Sequence, residues 1–285
     1  MNDNKPNKTN INGTDFFWGK KTYIMGVINV TPDSFSGDGI GRNINLAIEK
    51  ALLFEKCGVD IIDVGGESTR PASVYKGAKP ISEKVEMERV IPVIRELRKR
   101  INIPISVDTY KSKVALNAIE AGANIVNDVL SFRNDSEMIK VISKSGIPVI
   151  LMHNQKDYHY NNLIEDIKDY FVNIIDLSIN AGIKKENIII DPGIGFGKNT
   201  IQNLELYRNL DKFRSLGYPV LIGMSRKASI GEVLNLPVDD RLEGTSAVVA
   251  LSISKKVDII RVHDVCEMSR VAKMSDAIVR GWQDA

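Results

Sequence analysis

Arg261 and His263 stand two residues apart in the apolar run DIIRVH (258–263), a spacing that puts both on one face of a β-strand and Val262 on the other. A guanidinium and an imidazole side by side at a strand end, followed at once by a helical pattern, suit a phosphate or diphosphate group. Three aspartates lie inside other apolar runs: Asp63 in IIDV, Asp108 in SVDT and Asp191 in IIIDPG. A carboxylate in such a run must be paired or used, because burying an unpartnered charge is costly. Asn127 (NIVNDV), Lys227 (SRK) and Met152 (PVILMH) add donors, acceptors and a soft apolar face. Together they match a flat heterocycle with an amidine-like edge and a ring carbonyl: Asp accepts from NH and NH₂, Asn reads both kinds of group, and Lys supports the carbonyl. Met152 either lies against the ring face or fills core. Asn29, which ends YIMGVIN, offers the kind of oxygen that a hard cation such as Mg²⁺ bridging phosphates needs. Asp33, in the loop that follows, can add a carboxylate.

These residues need elements to bring them together. Apolar runs at 23–29, 60–66, 104–109, 124–129, 148–153, 187–193, 219–225 and 258–263 alternate with amphipathic helical patterns at about 45–58, 82–101, 111–122, 135–145, 162–181, 201–216, 241–255 and 264–281. Near-continuous Val/Ile runs are the mark of parallel strands buried on both faces. The pattern therefore predicts an α/β protein with a single-domain (β/α)₈ TIM barrel over residues 21–285, preceded by a flexible polar segment, 1–20. An open doubly wound sheet would also alternate, but it usually carries a nucleotide fingerprint after its first strand, and none is present. In a barrel the C-terminal strand ends share one mouth. Strand eight lies beside strand one there, so Asn29 joins Arg261 and His263. A lone Asp or Asn after a strand often only caps the next helix; a polar side chain at all eight strand ends argues for a site.

With 285 residues, 43% of them hydrophobic and 26% charged, and a net charge of +2, the chain has ample core and nothing that marks a nucleic-acid binder. No run of about 18 apolar residues and no secretory apolar segment is present, so a cytoplasmic enzyme without a membrane partner is expected. Cys57 and Cys266 sit in helical patterns without CxxC or Cys/His spacing, and are expected to be buried free thiols. His153 is expected to be structural and His159 solvated. The glycines at 193, 195 and 197 form no GxGxxG and are expected to shape a tight turn beneath the ligand.

Taken in order, NVTPDSFS (29–36), DVGGESTRP (63–71), SVDT (106–109), NDV (127–129), LMH (151–153), DPGIGFGK (191–198), SRKASIG (225–231) and RVHDV (261–265) resemble the dihydropteroate synthase family. The resemblance implies a barrel that condenses 6-hydroxymethyl-7,8-dihydropterin diphosphate with 4-aminobenzoate in folate synthesis, an alkyl-group transfer that requires Mg²⁺. It also implies a homodimer and a sulfonamide target. It implies that Asp108, Asn127, Asp191 and Lys227 hold the pterin with Met152, and that Asp63 supports them. Asn29, Arg261 and His263 correspond to the diphosphate and metal positions, with Asp33 as a second metal oxygen. Phe35, Thr69, Arg70, Pro71 and Ser225 correspond to the aminobenzoate and mobile-loop positions. Lys227, Arg261, His263 and Asp33 are the expected catalytic groups, and the loop after strand one is expected to close as a lid. STRPASVYKGAKP runs about five residues longer than the family's common form, which leaves the Ala72–Pro80 loop distinctive; the polar segment 154–163 also departs from it. The alternatives are a methyltetrahydrofolate-binding methyltransferase domain and a non-catalytic pterin-binding barrel; neither would need the groups around a diphosphate.

Overall fold

The structure is a computed structural model that describes residues 8–30, 44–68 and 80–282. It begins with an antiparallel hairpin, β1 Lys8–Ile11 and β2 Thr14–Phe17. Residues 8–17 therefore correct the expectation of a flexible segment over 1–20. The turn holds Asn12 at φ 53° and Gly13 at φ 81°, the two left-handed positions that an Asn-Gly hairpin turn supplies. Ile11 and Phe16 point the same way and are buried.

Eight parallel strands follow: β3 Tyr23–Asn29, β4 Ile61–Gly65, β5 Ile105–Asp108, β6 Ile125–Asp128, β7 Val149–Met152, β8 Ile188–Asp191, β9 Leu221–Gly223 and β10 Ile259–Val262. Their order is β8-β7-β6-β5-β4-β3-β10-β9, and a bridge between Ile190 and Val220 joins the two ends of that row. The barrel is closed, as the alternation predicted, and the last strand does lie beside the first.

The helices are α1 Ile44–Lys56, α2 Glu83–Arg98, α3 Ser112–Ala121, α4 Glu137–Ser145, α5 Leu163–Asn180, α6 Thr200–Arg208, α7 Ala228–Leu234, α8 Leu242–Ser254 and α9 Val265–Arg280. Two differ from expectation. The pattern at 201–216 divides at Asn209 into α6 and a 3₁₀ stretch, Leu210–Leu216. The short α7 precedes α8 and ends at Asn235, whose left-handed φ of 53° stops it.

The outward faces of the strands pack against the helices in one continuous apolar layer. At Gly26 a Cβ would overlap Phe54 of α1 and Val265 of α9, so glycine lets both helices sit against β3. That closeness also corrects the cysteine expectation. Cys57, just past α1, and Cys266, in the first turn of α9, form a disulfide with Cα atoms 4.9 Å apart, although 209 residues separate them. Only barrel closure brings the first and last helices together, so local spacing could not reveal the pair.

Candidate active site

The inward faces of the strands change character along their length. Tyr23, Met25, Ile61, Ile125, Ile150, Ile189, Leu221 and Ile259 form one apolar cluster, covered by Ile11, Phe16 and Trp18 from the hairpin and the residue after it. Two residues further along the strands, the same face carries Asp63, Asn127, Met152, Asp191, Gly223 and Arg261, and β5 brings Ser106 and Asp108. One more step reaches Asn29, Gly65, Ser225 and His263. A period of two carries the chain from core to site without any change of backbone.

Arg261 is the centre of the charged layer. Its Nε donates to Asp63 Oδ2 at 2.7 Å and its Nη2 to Asp108 Oδ2 at 2.7 Å, with Nη2 also 2.6 Å from Asp63 Oδ2. Asn127 donates to the same Asp63 oxygen at 3.4 Å. One cation thus serves two buried carboxylates. Burial pushes the Asp108 carboxyl up to about 7, against the pull of Arg261 and with the help of Asp63. Burial works against the charge on Arg261, but Asp63 and Asp108 outweigh it and hold the guanidinium well above its ordinary value. Asp63 Oδ1, Asp108 Oδ1 and Ser106 Oγ are buried without a hydrogen-bond partner among the described residues. Such atoms are costly unless a ligand donor meets them.

Asp191 accepts from the Gly193 amide at 2.8 Å, and burial raises its carboxyl despite that bond and nearby Lys227. Lys227 Nζ lies 4.4 Å from the centre of the Phe196 ring. Phe196, Met152 and Val129 form a small apolar cluster with Tyr110 and Leu130 against it, which gives the polar site one soft wall. Ser225 Oγ accepts the His263 amide at 3.2 Å and stands 3.1 Å from His263 Nδ1, tying the end of β10 to the stretch after β9.

The expected residues Asp63, Asp108, Asn127, Met152, Asp191, Asn29, Arg261, His263 and Ser225 therefore share the C-terminal mouth of the barrel, and Lys227 reaches it from the loop after β9. Asp33, Phe35, Thr69, Arg70, Pro71 and residues 72–79 lie outside the described residues. Arg261 was expected to face an anion; here it is engaged by two carboxylates across the barrel.

Several residues of the site escaped the sequence reading. Lys198 is buried, with Nζ 3.0 Å from His153 Nδ1 and bonded to the carbonyls of Gly193 at 3.1 Å and Phe196 at 2.9 Å. Burial lowers this ammonium to about 7; burial and then Lys198 hold His153 down at about 2. The polar segment after β7 packs on the same turn: Tyr160 Oη donates to Gly197 O at 2.9 Å, and Gln202 of α6 donates to Tyr158 O at 2.8 Å. Beyond β4, Lys111 bridges Glu67 and Glu86 at 2.5 Å each while Tyr110 donates to Glu67 at 2.6 Å. A lysine inside DPGIGFGK and a glutamate inside GGEST were the available signals.

A closed parallel barrel whose mouth gathers buried carboxylates, an arginine, a lysine and a histidine defines an α/β-barrel enzyme for a small polar substrate. The family model described as pterin binding enzyme matches residues 25–263. A dihydropteroate synthase of Clostridium beijerinckii is 50% identical over 95% of this chain and 99% of its own length, and one of Bacillus subtilis is 46% identical over 91% and 90%. A crystal structure of dihydropteroate synthase from Clostridium difficile, in the presence of pteroic acid, matches with a TM-score of 0.87 at 48% identity, covering 92% of this chain and 98% of that one. The Xanthomonas albilineans enzyme with 4-aminobenzoic acid matches at 0.89 and 36%, covering 95% and 98%. The chain belongs to the pterin-binding enzyme family and, within it, to the dihydropteroate synthases.

Proposed function

We infer that this chain condenses 6-hydroxymethyl-7,8-dihydropterin diphosphate with 4-aminobenzoate to give 7,8-dihydropteroate and diphosphate. The observation that carries the reading is the pair of buried carboxylates, Asp63 and Asp108, clasped on one arginine with an oxygen of each left over. A pterin edge supplies the NH and NH₂ donors those oxygens need. Asn127 and Asp191 extend the acceptor row, Lys227 supports the ring carbonyl, and Met152 and Phe196 cover the ring.

The reaction exchanges one bond for another at the methylene carbon beside the pterin. Its C–O bond breaks and the electron pair leaves with diphosphate; the aniline nitrogen then forms the C–N bond and loses its proton to solvent. His263, just past β10, and Asn29 at the end of the neighbouring β3 are set to meet the departing diphosphate; Arg261, clasped by Asp63 and Asp108, lends its charge from within the pocket, and the carboxylate row favours positive charge on the pterin. No strong general base is required. His153, held down at about 2 and bonded to Lys198, is not one.

Mg²⁺ fits this end of the mouth. Mg²⁺ keeps several waters and is usually held through substrate phosphates with few protein oxygens, and Asn29 stands at the end of β3 beside His263. The Asn29 amide oxygen would be one such oxygen, with Asp33 supplying another; the ion supplies charge neutralisation on the diphosphate. Phe35, Thr69, Arg70, Pro71 and Ser225 are the aminobenzoate positions in this reading, and sulfonamides, one of which is bound to the Yersinia pestis enzyme in its solved structure, compete there.

A second copy of the chain completes the assembly. Leu251 on α8, with Met274, Ile278 and Trp282 along and just past α9, are 61, 64, 72 and 75% exposed. Met274 and Ile278 share a face of α9, and a homodimer would cover exposed apolar side chains of this kind. No helix of the described residues is long and apolar enough to cross a membrane.

Diphosphate release by the purified protein, measured with and without aminobenzoate, tests the function. Release that depends on aminobenzoate and yields dihydropteroate is expected; none in either condition refutes the reading. Activity is expected to fall sharply in excess chelator and to return on adding Mg²⁺.

A further inference from the structure

Arg241 lies just before α8, outside every role given above, yet its guanidinium reaches back over α7 to the loop that presents Lys227. Nη1 donates to the carbonyls of Arg226 and Lys227 at 3.1 and 3.2 Å, and Nε and Nη2 donate to that of Leu236 at 3.2 and 3.0 Å. The stretch it grips needs holding. Arg226 adopts φ 56°, a left-handed conformation unfavourable for a residue with a Cβ, and Lys227 returns to φ −62° and ψ 154° to start α7. The amide of Arg226 donates to Thr245 Oγ1 at 3.2 Å, and its side chain is bound to Asp264 at 2.5 Å. The carbonyls on either side of the Arg226–Lys227 turn go to Arg241.

Gly231, within α7, is where the guanidinium passes. A Cβ there would overlap Nη2, Cζ and Nε of Arg241. Its φ is not positive, so backbone conformation does not demand glycine, and alanine is the better helix former. Space for Arg241 is the physical reason for glycine at this place.

We propose that Arg241 is a positioning residue, admitted by Gly231, that fixes the main chain at Arg226 and Lys227 so that the Lys227 ammonium stays over Phe196 on the Asp191 side of the pocket. Its loss then weakens pterin binding rather than the chemical step. The inference rests on the reading of Lys227 as a pterin-binding group.

Four variants of the full chain test it: Arg241→Met, Gly231→Ala, the two combined, and Lys227→Ala. Each is followed by thermal melting, steady-state kinetics in both substrates, and calorimetric binding of the pterin diphosphate. Arg241→Met is expected to raise KM for the pterin diphosphate about tenfold, the scale of a lost charged hydrogen bond. Its kcat and aminobenzoate KM should stay within about twofold to threefold, since no reacting group is removed. Gly231→Ala should reproduce that split, because the new methyl group displaces the guanidinium. The combined variant should be no worse than Arg241→Met, since the new methyl group then has no guanidinium to displace and the thioether end can swing aside. A folded Arg241→Met with parental pterin KM overturns the proposal, as do effects of the two substitutions that multiply. Should Arg241→Met not fold, Gly231→Ala decides alone: parental pterin KM there overturns it. Lys227→Ala separates the underlying reading, because unchanged pterin binding in that variant removes Lys227 from the pocket whatever Arg241 does.

Discussion

The two ends of the barrel interior stand on the same eight strands and do opposite work. At the N-terminal end Met25, Ile61, Ile125, Ile150, Ile189, Leu221 and Ile259 meet in an apolar plug that the hairpin seals with Phe16 and Trp18. At the other end Asp63, Asp108, Asn127, Asp191 and Arg261 crowd together with buried oxygens left over. One end lowers the free energy of the fold by removing apolar surface from water; the other raises it by holding charged groups and unpartnered oxygens out of water. A site of this kind is stable because the sealed end offsets it, so substitutions at the two ends should have separable effects.

The sharpest separation is expected from Phe16→Ala, which empties a fully buried aromatic position in the plug. A loss of about 3–5 kcal/mol in unfolding free energy is expected, and the melting temperature should drop by roughly 10 °C. Pterin binding measured well below the melt should remain within about twofold of the parent. If affinity falls along with stability, the two ends are not independent. Asp108→Asn is the converse, with a smaller effect: pterin affinity should fall by about 1.5–3 kcal/mol with no loss of melting temperature, since the change removes a carboxylate that burial disfavours. Calorimetry showing unchanged pterin affinity would move the pocket to other residues.

The smallest effect is a pH dependence confined to the mouth. With its carboxyl raised to about 7, Asp108 is protonated below neutrality in the unliganded protein, whereas donors on a pterin edge select the ionised form. Affinity should therefore weaken as pH falls below 7, approaching tenfold per pH unit, and level off above it. The stability sign is the reverse of the usual carboxylate. The folded state binds the extra proton between the unfolded value near about 3.9 and about 7, so this group's contribution falls as pH rises through that window. Asp108→Asn should flatten the affinity curve and remove this group's share of the stability slope, as calorimetry and urea melts across pH 5–8 would show.

How much of this was legible depended on whether a residue's meaning was carried by its own run. Asp63, Asp108 and Asp191 could be picked out because a charge inside a Val/Ile strand contradicts its surroundings, and the barrel followed from the alternation of such strands with amphipathic helices. Arg241 and Lys198 could not, because their partners are main-chain carbonyls that exist as a set only once the loops fold. The hairpin was missed for a different reason: KTNINGTDFF is polar by composition, and its Asn-Gly turn carried more information than its average. The engagement of Arg261 by two carboxylates could not be read from β10 alone, since Asp63 and Asp108 reach it across the interior from β4 and β5.

The Cys57–Cys266 disulfide makes a covalent ring of the chain from the end of α1 to the start of α9, with all of β4 to β10 inside it. A ring has no ends to lose: a protease that cuts it once leaves two pieces still joined, one band on a gel until a reductant separates them. The bond also bolts the closing seam: Cys57 follows the helix packed on β3 and Cys266 opens the helix after β10, so the link spans the junction where the last strand meets the first.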